Sequence, residues 1–262
     1  MQTMHETIKE QLNVIEQEEH IRILYACESG SRAWGFPSRD SDYDVRFLYI
    51  RPAEWYLSIF DKRDVVERPI NDQLDINGWD LRKALNLYRK SNPPLFEWLQ
   101  SPIRYSETSG IAQQLREISP LTFSPKACMY HYLNMARGNY REYLQGERVR
   151  IKKYFYVLRP VLACEWIERY DEMPPMEFDL LVERLIPRDG ELWSVVQELL
   201  RRKKSSEELD YEPRIEAINA YLEAQLVRLE AVAASQRIVD TGLDARLDAL
   251  FRAAVKEVWG LG

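Results

Sequence analysis

Cysteine and histidine are scarce in this sequence of 262 residues, and the few that occur are scattered. The three cysteines, Cys27, Cys128 and Cys164, form no CxxC pair and lie in apolar or helical patterns. The three histidines are too far apart in the sequence to indicate a metal cage. The pattern therefore predicts neither a disulfide framework nor a zinc site, and we expect the cysteines to be buried free thiols.

Long apolar runs are also missing. The sequence contains no stretch of eighteen or more apolar residues, so it predicts no membrane-spanning helix and no membrane partner. Residues 1–18 are polar and acidic and lack the apolar core of a signal peptide. We expect a cytoplasmic protein.

Positive charge is not in excess, because the formal net charge is −6. This balance argues against a protein that coats nucleic acid by bulk electrostatics. It leaves room for a local basic groove, which an acidic protein can also carry. The overall charge therefore decides neither for nor against a nucleic-acid partner.

The first half of the sequence contains an ordered series of helix and strand signals. Residues 5–19 have the apolar spacing of a helix, and residues 21–27 form an apolar run that predicts a buried strand. Residues 42–50 and 73–79 predict two further strands. A helix is expected to follow Asp80, which suits the N-cap position.

The second half of the sequence is dominated by helical patterns. They cover residues 126–145, 153–170, 176–186, 192–203 and 215–234. An α/β half followed by a helical half predicts two packed modules, which we place at residues 1–123 and 124–262.

The most informative segment is CESGSRAWGFPSRDSDYDV, which joins the first two predicted strands. Gly30 follows a buried strand and allows close approach of the backbone to a phosphate, whose oxygens the Ser31 hydroxyl can bind. Asp42 and Asp44 are two residues apart on a predicted strand, so their side chains point to the same face. Paired carboxylates of this kind suit Mg²⁺ or Mn²⁺.

Taken together, Gly30-Ser31, a ten-residue spacer and Asp42-Tyr43-Asp44-Val45 resemble the signature of the DNA polymerase beta superfamily of nucleotidyltransferases. The segments ESGSRAWGF, SDYDVRF, LDINGWDLRKAL, LFEWLQSPI and KKYFYVLRPVLACEWI are similar to one branch, the predicted nucleotidyltransferases associated in some bacteria with RNA ligase and RNA repair. This resemblance covers most of the chain. It implies an α+β fold, in which a small mixed β-sheet with flanking helices precedes an all-helical domain that closes over a cleft.

The resemblance also implies a third carboxylate on a later strand, which completes a two-metal site. Asp75, in the segment QLDINGW, lies on the third predicted strand and is our choice. Asp80 is the alternative, although its place before LRKAL is more typical of a helix cap. The expected catalytic residues and metal ligands are therefore Asp42, Asp44 and Asp75, with Mg²⁺ or Mn²⁺ as cofactor.

Further candidates for nucleotide binding lie outside the Gly-Ser pair. Arg32 either contacts the triphosphate or pairs structurally with the neighbouring aspartates. Lys152, Tyr156 and Arg159 are spaced at i, i+4 and i+7, so they share one face of a predicted helix. If that face borders the cleft, it supplies a triphosphate clamp, and if it does not, it is a solvated surface.

These residues predict an enzyme that transfers a nucleoside monophosphate from a nucleoside triphosphate to a hydroxyl group and releases pyrophosphate. The resemblance favours an RNA 3′ end as the acceptor, and a small molecule or a protein hydroxyl are the alternatives. A non-catalytic nucleotide-binding or antitoxin-like module is the alternative from a different class. The sequence specifies neither the base of the triphosphate nor the oligomeric state.

Overall fold

The computed structural model describes residues 3–68, 73–205, 207, 209–237 and 242–260. Its α-helices are α1 (Met4–Glu19), α2 (Gly30–Ala33), α3 (Ala53–Tyr56), α4 (Leu81–Arg89), α5 (Pro93–Gln100), α6 (Ile111–Thr122), α7 (Pro125–Tyr143), α8 (Phe155–Tyr170), α9 (Phe178–Leu185), α10 (Glu191–Lys204), α11 (Glu216–Ser235) and α12 (Asp244–Trp259). Its strands are β1 (Arg22–Glu28), β2 (Tyr43–Ile50), β3 (Val65–Glu67), β4 (Leu74–Asp80), β5 (Arg104–Glu107), β6 (Arg148–Arg150) and β7 (Tyr211–Pro213), and a 3₁₀ turn, Ile151–Tyr154, precedes α8.

The main sheet has five strands in the order β3-β4-β2-β1-β5. Strands β2 and β4 run parallel, while the other neighbouring pairs are antiparallel, so the sheet is mixed. The three central strands, β1, β2 and β4, are those that the sequence predicts. Strands β3 and β5 escape prediction because they are only three and four residues long, too short for a clear alternating pattern. The predicted α+β fold with a small mixed sheet is confirmed.

Helices cover both faces of this sheet. The apolar face of α1 buries Ile8, Leu12 and Ile15 against one side of the sheet, where Val45 and Phe47 of β2 point. Helices α4, α5 and α6 cover the other side, toward which alternate residues of β2 project. Asp44 and Arg46 precede the buried Leu48 on this second face, at the end of β2 that the helices leave open.

The helical half has its own core, formed mainly by α7, α8 and α11 with α9 and α10 beside them. A loop from the sheet half enters this core: Phe36 stacks on Phe155 with ring centroids 4.6 Å apart and meets the edge of Phe178 at 5.4 Å. The Phe178 N–H also donates to the Trp34 carbonyl oxygen at 2.9 Å. The segment that follows β1 is therefore fixed between the two halves.

The last helix returns to the sheet half. Leu247, Leu250 and Ala254 of α12 pack into the apolar cluster that α4, α5 and α6 form over the sheet. Residues 244–259 therefore do not join the core of the helical half, although they follow it in sequence. The division into residues 1–123 and 124–262 stays a prediction.

Two expectations about composition have structural counterparts. Cys27, Cys128 and Cys164 are buried free thiols, as expected from their apolar surroundings. Across the part of the chain that the structure describes, no helix combines the length and apolar character needed to span a bilayer.

Candidate active site

The aspartates that the sequence singles out lie at one end of the two central parallel strands. Asp44 and Asp75 are register partners on β2 and β4, and their neighbours in the register continue from Tyr43–Leu74 to Tyr49–Asp80. Asp42 lies just before β2 and is exposed. Because directly opposed residues of neighbouring strands project to the same face, the structure brings Asp75 beside Asp44.

Arg46 links these two carboxylates. Its guanidinium donates to Asp75 Oδ2 at 2.7 Å and to Asp44 Oδ1 at 3.4 Å, and to the Asp75 carbonyl oxygen at 3.2 Å. Arg46 lies two residues after Asp44 on β2, so both side chains point to the same face. The arginine therefore holds Asp75 in place and offsets part of the negative charge at this end of the sheet.

Gly30 is required where α2 approaches β2. Its backbone has φ +57°, and a Cβ atom at this position would lie 1.9 Å from Asp44 Oδ2. Any other residue would collide with the carboxylate and would also adopt a strained left-handed conformation. Ser31, the next residue, lines the cavity that contains Asp42 and Asp44. Gly30 thus lies directly against the Asp44 carboxylate, a contact that the sequence did not predict.

Glu28 holds the backbone of Asp44 through a hydrogen bond, a role that the sequence did not reveal. The backbone N–H of Asp44 donates to Glu28 Oε1 at 2.7 Å, and the Tyr105 hydroxyl donates to the other oxygen. The side chain is fully buried, and this burial raises the pKa of Glu28. Its closeness to the motif was visible in the sequence, but the contact with Tyr105 spans 77 positions and depends on the fold.

The electrostatics at Asp44 favour a bound cation. Burial raises the pKa of the Asp44 carboxyl, the charge of Arg46 lowers it, and the charges of Asp75 and Asp42 raise it further. Carboxylate oxygens are the ligands that Mg²⁺ and Mn²⁺ prefer, and the missing side chain at Gly30 keeps Asp44 Oδ2 clear. The residues present therefore fit a divalent cation. Within the described ranges, however, no three His, Cys, Asp or Glu side chains already converge as a ready-made metal site.

Asp80, the alternative third carboxylate, lies at the opposite end of β4. Its side chain accepts a hydrogen bond from the Arg82 backbone N–H at 2.8 Å, which caps α4, and another from the Tyr56 hydroxyl at 2.7 Å. The residue is fully buried, and burial raises its carboxyl pKa. In the parallel register, Tyr43 of β2 pairs with Leu74 and Tyr49 pairs with Asp80. Asp80 therefore lies beside the far end of β2, remote from Asp44.

Basic side chains form the opposite wall of the same cavity, which has a volume of about 280 Å³. We call it the charged cavity; besides Ser31, Asp42 and Asp44, its lining includes Arg150, Lys152, Lys153, Tyr156 and Lys203. Burial lowers the pKa of Lys153 and of Lys203, and the charge of Lys152 lowers both further. Lys203 Nζ donates to Ser38 Oγ at 3.1 Å, and the Lys153 ammonium lies 4.1 Å from the centre of the Tyr143 ring. The mutual repulsion of the three lysines favours a bound anion.

Of the three residues expected to share a helix face, Tyr156 and Lys152 border the charged cavity. Lys152 lies in the 3₁₀ turn and not in α8. Arg159 does not join them. It is 1% exposed and donates to Glu97 Oε1 at 2.7 Å, with its guanidinium 4.9 Å from the centre of the Trp34 ring. Helical spacing predicts that Arg159 shares a face with Tyr156. Its salt bridge with Glu97 instead places the guanidinium in the lining of a separate cavity.

Arg32 stabilises the loop that precedes β2 through hydrogen bonds to its main chain. Its guanidinium donates to the carbonyl oxygens of Ser41 at 2.6 Å and Asp42 at 3.2 Å, and it lies 3.6 Å from the centre of the Tyr43 ring. These contacts match the structural alternative for this residue. They fix the backbone at Asp42, so Arg32 positions the carboxylate through the main chain.

Comparison with known proteins identifies the family. Residues 4–253 match the model of the RNA repair pathway DNA polymerase beta family, RlaP. The chain belongs to this family. A Bacillus subtilis (strain 168) protein, described as uncharacterized protein YcgL, is 50% identical over 256 residues, which is 98% of each chain. A solved nucleotidyltransferase-like protein from Exiguobacterium sibiricum 255-15 aligns with 87% of this chain and 75% of its own, at 14% identity and a TM-score of 0.31.

Membership of the RlaP family confirms the resemblance that the Gly-Ser and Asp-x-Asp motifs indicated. Family membership does not by itself assign a function to the basic side chains that line the charged cavity. The sequence analysis missed Arg150 and Lys203. Arg150 lies outside any predicted element, and Lys203 belongs to a run of four basic residues in the last turn of a helix, a position where cations are common without any ligand. The only signal in the sequence was an unusual density of positive charge at residues 201–204.

Proposed function

We propose that this protein transfers a nucleoside monophosphate from a nucleoside triphosphate to a hydroxyl acceptor, with an RNA 3′ end as the favoured acceptor. The observation that carries the proposal is the composition of the charged cavity. Asp42 and Asp44 face a wall of basic side chains from a different half of the molecule. A cation-binding edge opposite an anion-binding wall is what a complex of a triphosphate with a divalent metal requires.

Asp42, Asp44 and Asp75 are the residues that would hold Mg²⁺ or Mn²⁺. When bound, the metal neutralises phosphate charge and favours ionisation of the attacking hydroxyl group. Arg46 keeps Asp75 beside Asp44, Glu28 fixes the backbone of Asp44, and Gly30 leaves space at the carboxylate. The chain thus supplies a rigid frame in which the carboxylates need little rearrangement on binding.

The basic wall binds the triphosphate and orients it. Lys152, Lys153 and Lys203 line the charged cavity, and Lys152 repels the other two, so bound phosphates would relieve this repulsion. In the transfer, the acceptor oxygen forms a bond to the α-phosphorus as the bond from that phosphorus to the β-phosphate oxygen breaks. The acceptor hydroxyl loses its proton, and pyrophosphate leaves toward the cations that stabilise its charge.

Transfer is tested with triphosphates that carry a radioactive α-phosphate. Each of the four ribonucleoside triphosphates is incubated with the protein, Mg²⁺ or Mn²⁺, and single-stranded RNA that ends in a 3′ hydroxyl. We expect label in the RNA and one pyrophosphate released for each nucleotide added. RNA whose 3′ end is blocked by a phosphate is the matched control and should remain unlabelled.

Two results would contradict the proposal. Equal labelling of blocked and free RNA would show that the 3′ hydroxyl is not the acceptor. Triphosphate binding without pyrophosphate release, across RNA, cellular small molecules and proteins as acceptors, would favour the non-catalytic nucleotide-binding alternative.

A further inference from the structure

A second cavity lies beside the charged cavity, on the other side of Tyr156. It is enclosed by α5, α7 and α8 and has a volume of about 230 Å³. We call it the aromatic cavity, because the rings of Trp34, Trp98, Tyr132 and Tyr156 contribute to its lining. None of the lysines of the charged cavity reaches it. Its lining therefore differs in chemistry from the wall that suits a triphosphate.

The aromatic cavity adjoins the catalytic carboxylates. Arg46, which bonds Asp44 and Asp75, lines it, and so does Ser29, whose N–H donates to the Asp44 carbonyl oxygen at 2.8 Å. Tyr156 borders both cavities. A molecule in the aromatic cavity would thus reach the carboxylate edge from the side opposite to the lysines.

The polar groups of the aromatic cavity are incompletely satisfied. Arg159 is 1% exposed, yet its Nε has no hydrogen-bond partner among the described residues, and neither has Nε1 of Trp34. Glu97 accepts from Arg159 and from the Tyr132 hydroxyl through Oε1, and no described residue donates to its Oε2. The two nitrogens are themselves enclosed by protein, so the polar atom left for a ligand is the second oxygen of Glu97, which suits a hydrogen-bond donor.

We propose that the aromatic cavity receives the terminal nucleoside of the acceptor RNA, whose 3′ hydroxyl then reaches the carboxylates; this inference rests on the proposed transfer activity. A nucleobase is planar, stacks on aromatic rings and carries both acceptors and donors on its edge. The free oxygen of Glu97 matches an amino or imino group on that edge. A triphosphate would instead need several lysines around it, and those line the charged cavity.

Site-specific photo-cross-linking tests where the terminal nucleoside binds. A short single-stranded RNA that ends in 4-thiouridine with a free 3′ hydroxyl is irradiated with the full-length protein, and the cross-linked peptides are mapped. We expect cross-links within α7, around His131 and Met135, which line the aromatic cavity. Cross-links that map only to residues 150–155 or to Lys203 would overturn the inference, because these residues line the charged cavity and not the aromatic cavity.

A cavity-filling substitution gives an independent readout. Met135 is 40% exposed at the rim of the aromatic cavity, so Met135→Trp inserts an indole without removing core packing. We expect the KM for RNA to rise about tenfold, as for the loss of one base stack, while the KM for the triphosphate stays unchanged. Asn134→Trp, one residue earlier and exposed outside the cavity, is the matched control.

The two proposals fail in different ways. If transfer does not occur at all, cross-linking still reports where the RNA end binds, because it requires no reaction. If transfer occurs but Met135→Trp raises the KM of the triphosphate instead of that of RNA, the aromatic cavity belongs to the triphosphate. That result would overturn the inference and leave the proposed function intact.

Discussion

The two walls of the charged cavity are built in different ways. The carboxylate wall comes from one short stretch of chain that contains Asp42 and Asp44. Strand register places Asp75 of β4 beside Asp44, although Asp75 does not itself line the cavity. The basic wall brings Arg150 and Lys152, which precede α8, together with Lys203 of α10, which is far from them in sequence. The first wall is a local consequence of strand geometry, whereas the second depends on how the helical half packs.

This difference predicts that the two walls tolerate substitution unequally. A change on the carboxylate wall removes a group that no neighbour can replace, because strand register fixes its position. A change on the basic wall removes one of several charges that act on the same anion, so each should matter less. The following experiments compare the walls, beginning with the largest expected effect.

The largest effect is expected at the centre of the carboxylate wall. Asp44→Asn should lower the transfer rate by about a thousandfold or more, because it removes charge at the expected metal position and metals contribute several kcal/mol to such reactions. Single-turnover kinetics at saturating triphosphate measure this loss. A variant within tenfold of the parent rate would remove Asp44 from the catalytic centre.

The stability of the same variant serves as its control and has a definite pH dependence. The folded-state pKa of Asp44 is raised, chiefly by burial, so the ionised carboxylate destabilises the metal-free fold as pH rises through that pKa. Asp44→Asn should therefore match the melting temperature of the parent at acidic pH, where the carboxyl is protonated. Near pH 7, without metal, it should equal or exceed the parent. A markedly lower value at neutral pH would contradict this.

The second largest effect concerns Arg159, which the helical spacing assigned to the basic wall and the structure places against Glu97. Arg159→Ala should cost about 3 kcal/mol in the free energy of unfolding, because it leaves a buried carboxylate without its partner. Urea denaturation measures this loss. The double variant Arg159→Met with Glu97→Gln should recover part of it, since the unpaired charge is gone. A loss below about 1 kcal/mol, together with weaker triphosphate binding, would indicate that Arg159 binds the triphosphate together with the basic side chains of the charged cavity.

The third effect tests the basic wall itself. Lys203→Ala should raise the dissociation constant for a triphosphate about tenfold at low salt, and by less at high salt, where screening weakens the contact. Lys204→Ala is the matched control, because Lys204 pairs with Asp179 at 2.8 Å and does not line the charged cavity. A calorimetric titration at two salt concentrations separates them. Equal effects of both variants would mean that the basic run acts only as a diffuse charge.

The smallest effect is expected at Asp80, at the other end of β4 from Asp75. Asp80→Asn should cost about 1 kcal/mol of stability through its helix cap and its bond with Tyr56, and leave the transfer rate nearly unchanged. Asp75→Asn should instead reduce the rate by orders of magnitude with little change in stability. Thermal unfolding and rate measurements on both variants decide. The reverse pattern would make Asp80 the third carboxylate.

Much of the fold was accessible from the sequence because its signals are local. Strands β1, β2 and β4 are long enough to show their apolar patterns, and Asp80 lies at the N-cap that its neighbours indicated. The short edge strands, and the packing of α12 on the sheet half, were not accessible. A strand of three or four residues carries no periodicity, and the destination of an amphipathic helix depends on which apolar surface remains uncovered.

The candidate site divides in the same way. The sequence by itself singled out Asp42, Asp44 and Gly30, because an Asp-x-Asp spacing and a glycine after a buried strand are properties of a few consecutive residues. The contact of Gly30 with Asp44 became visible only in the structure. Only the tertiary structure decided that Lys203 joins Lys152 and that Arg159 turns toward Glu97. Helical spacing states which side chains share a face, and packing alone decides what that face meets.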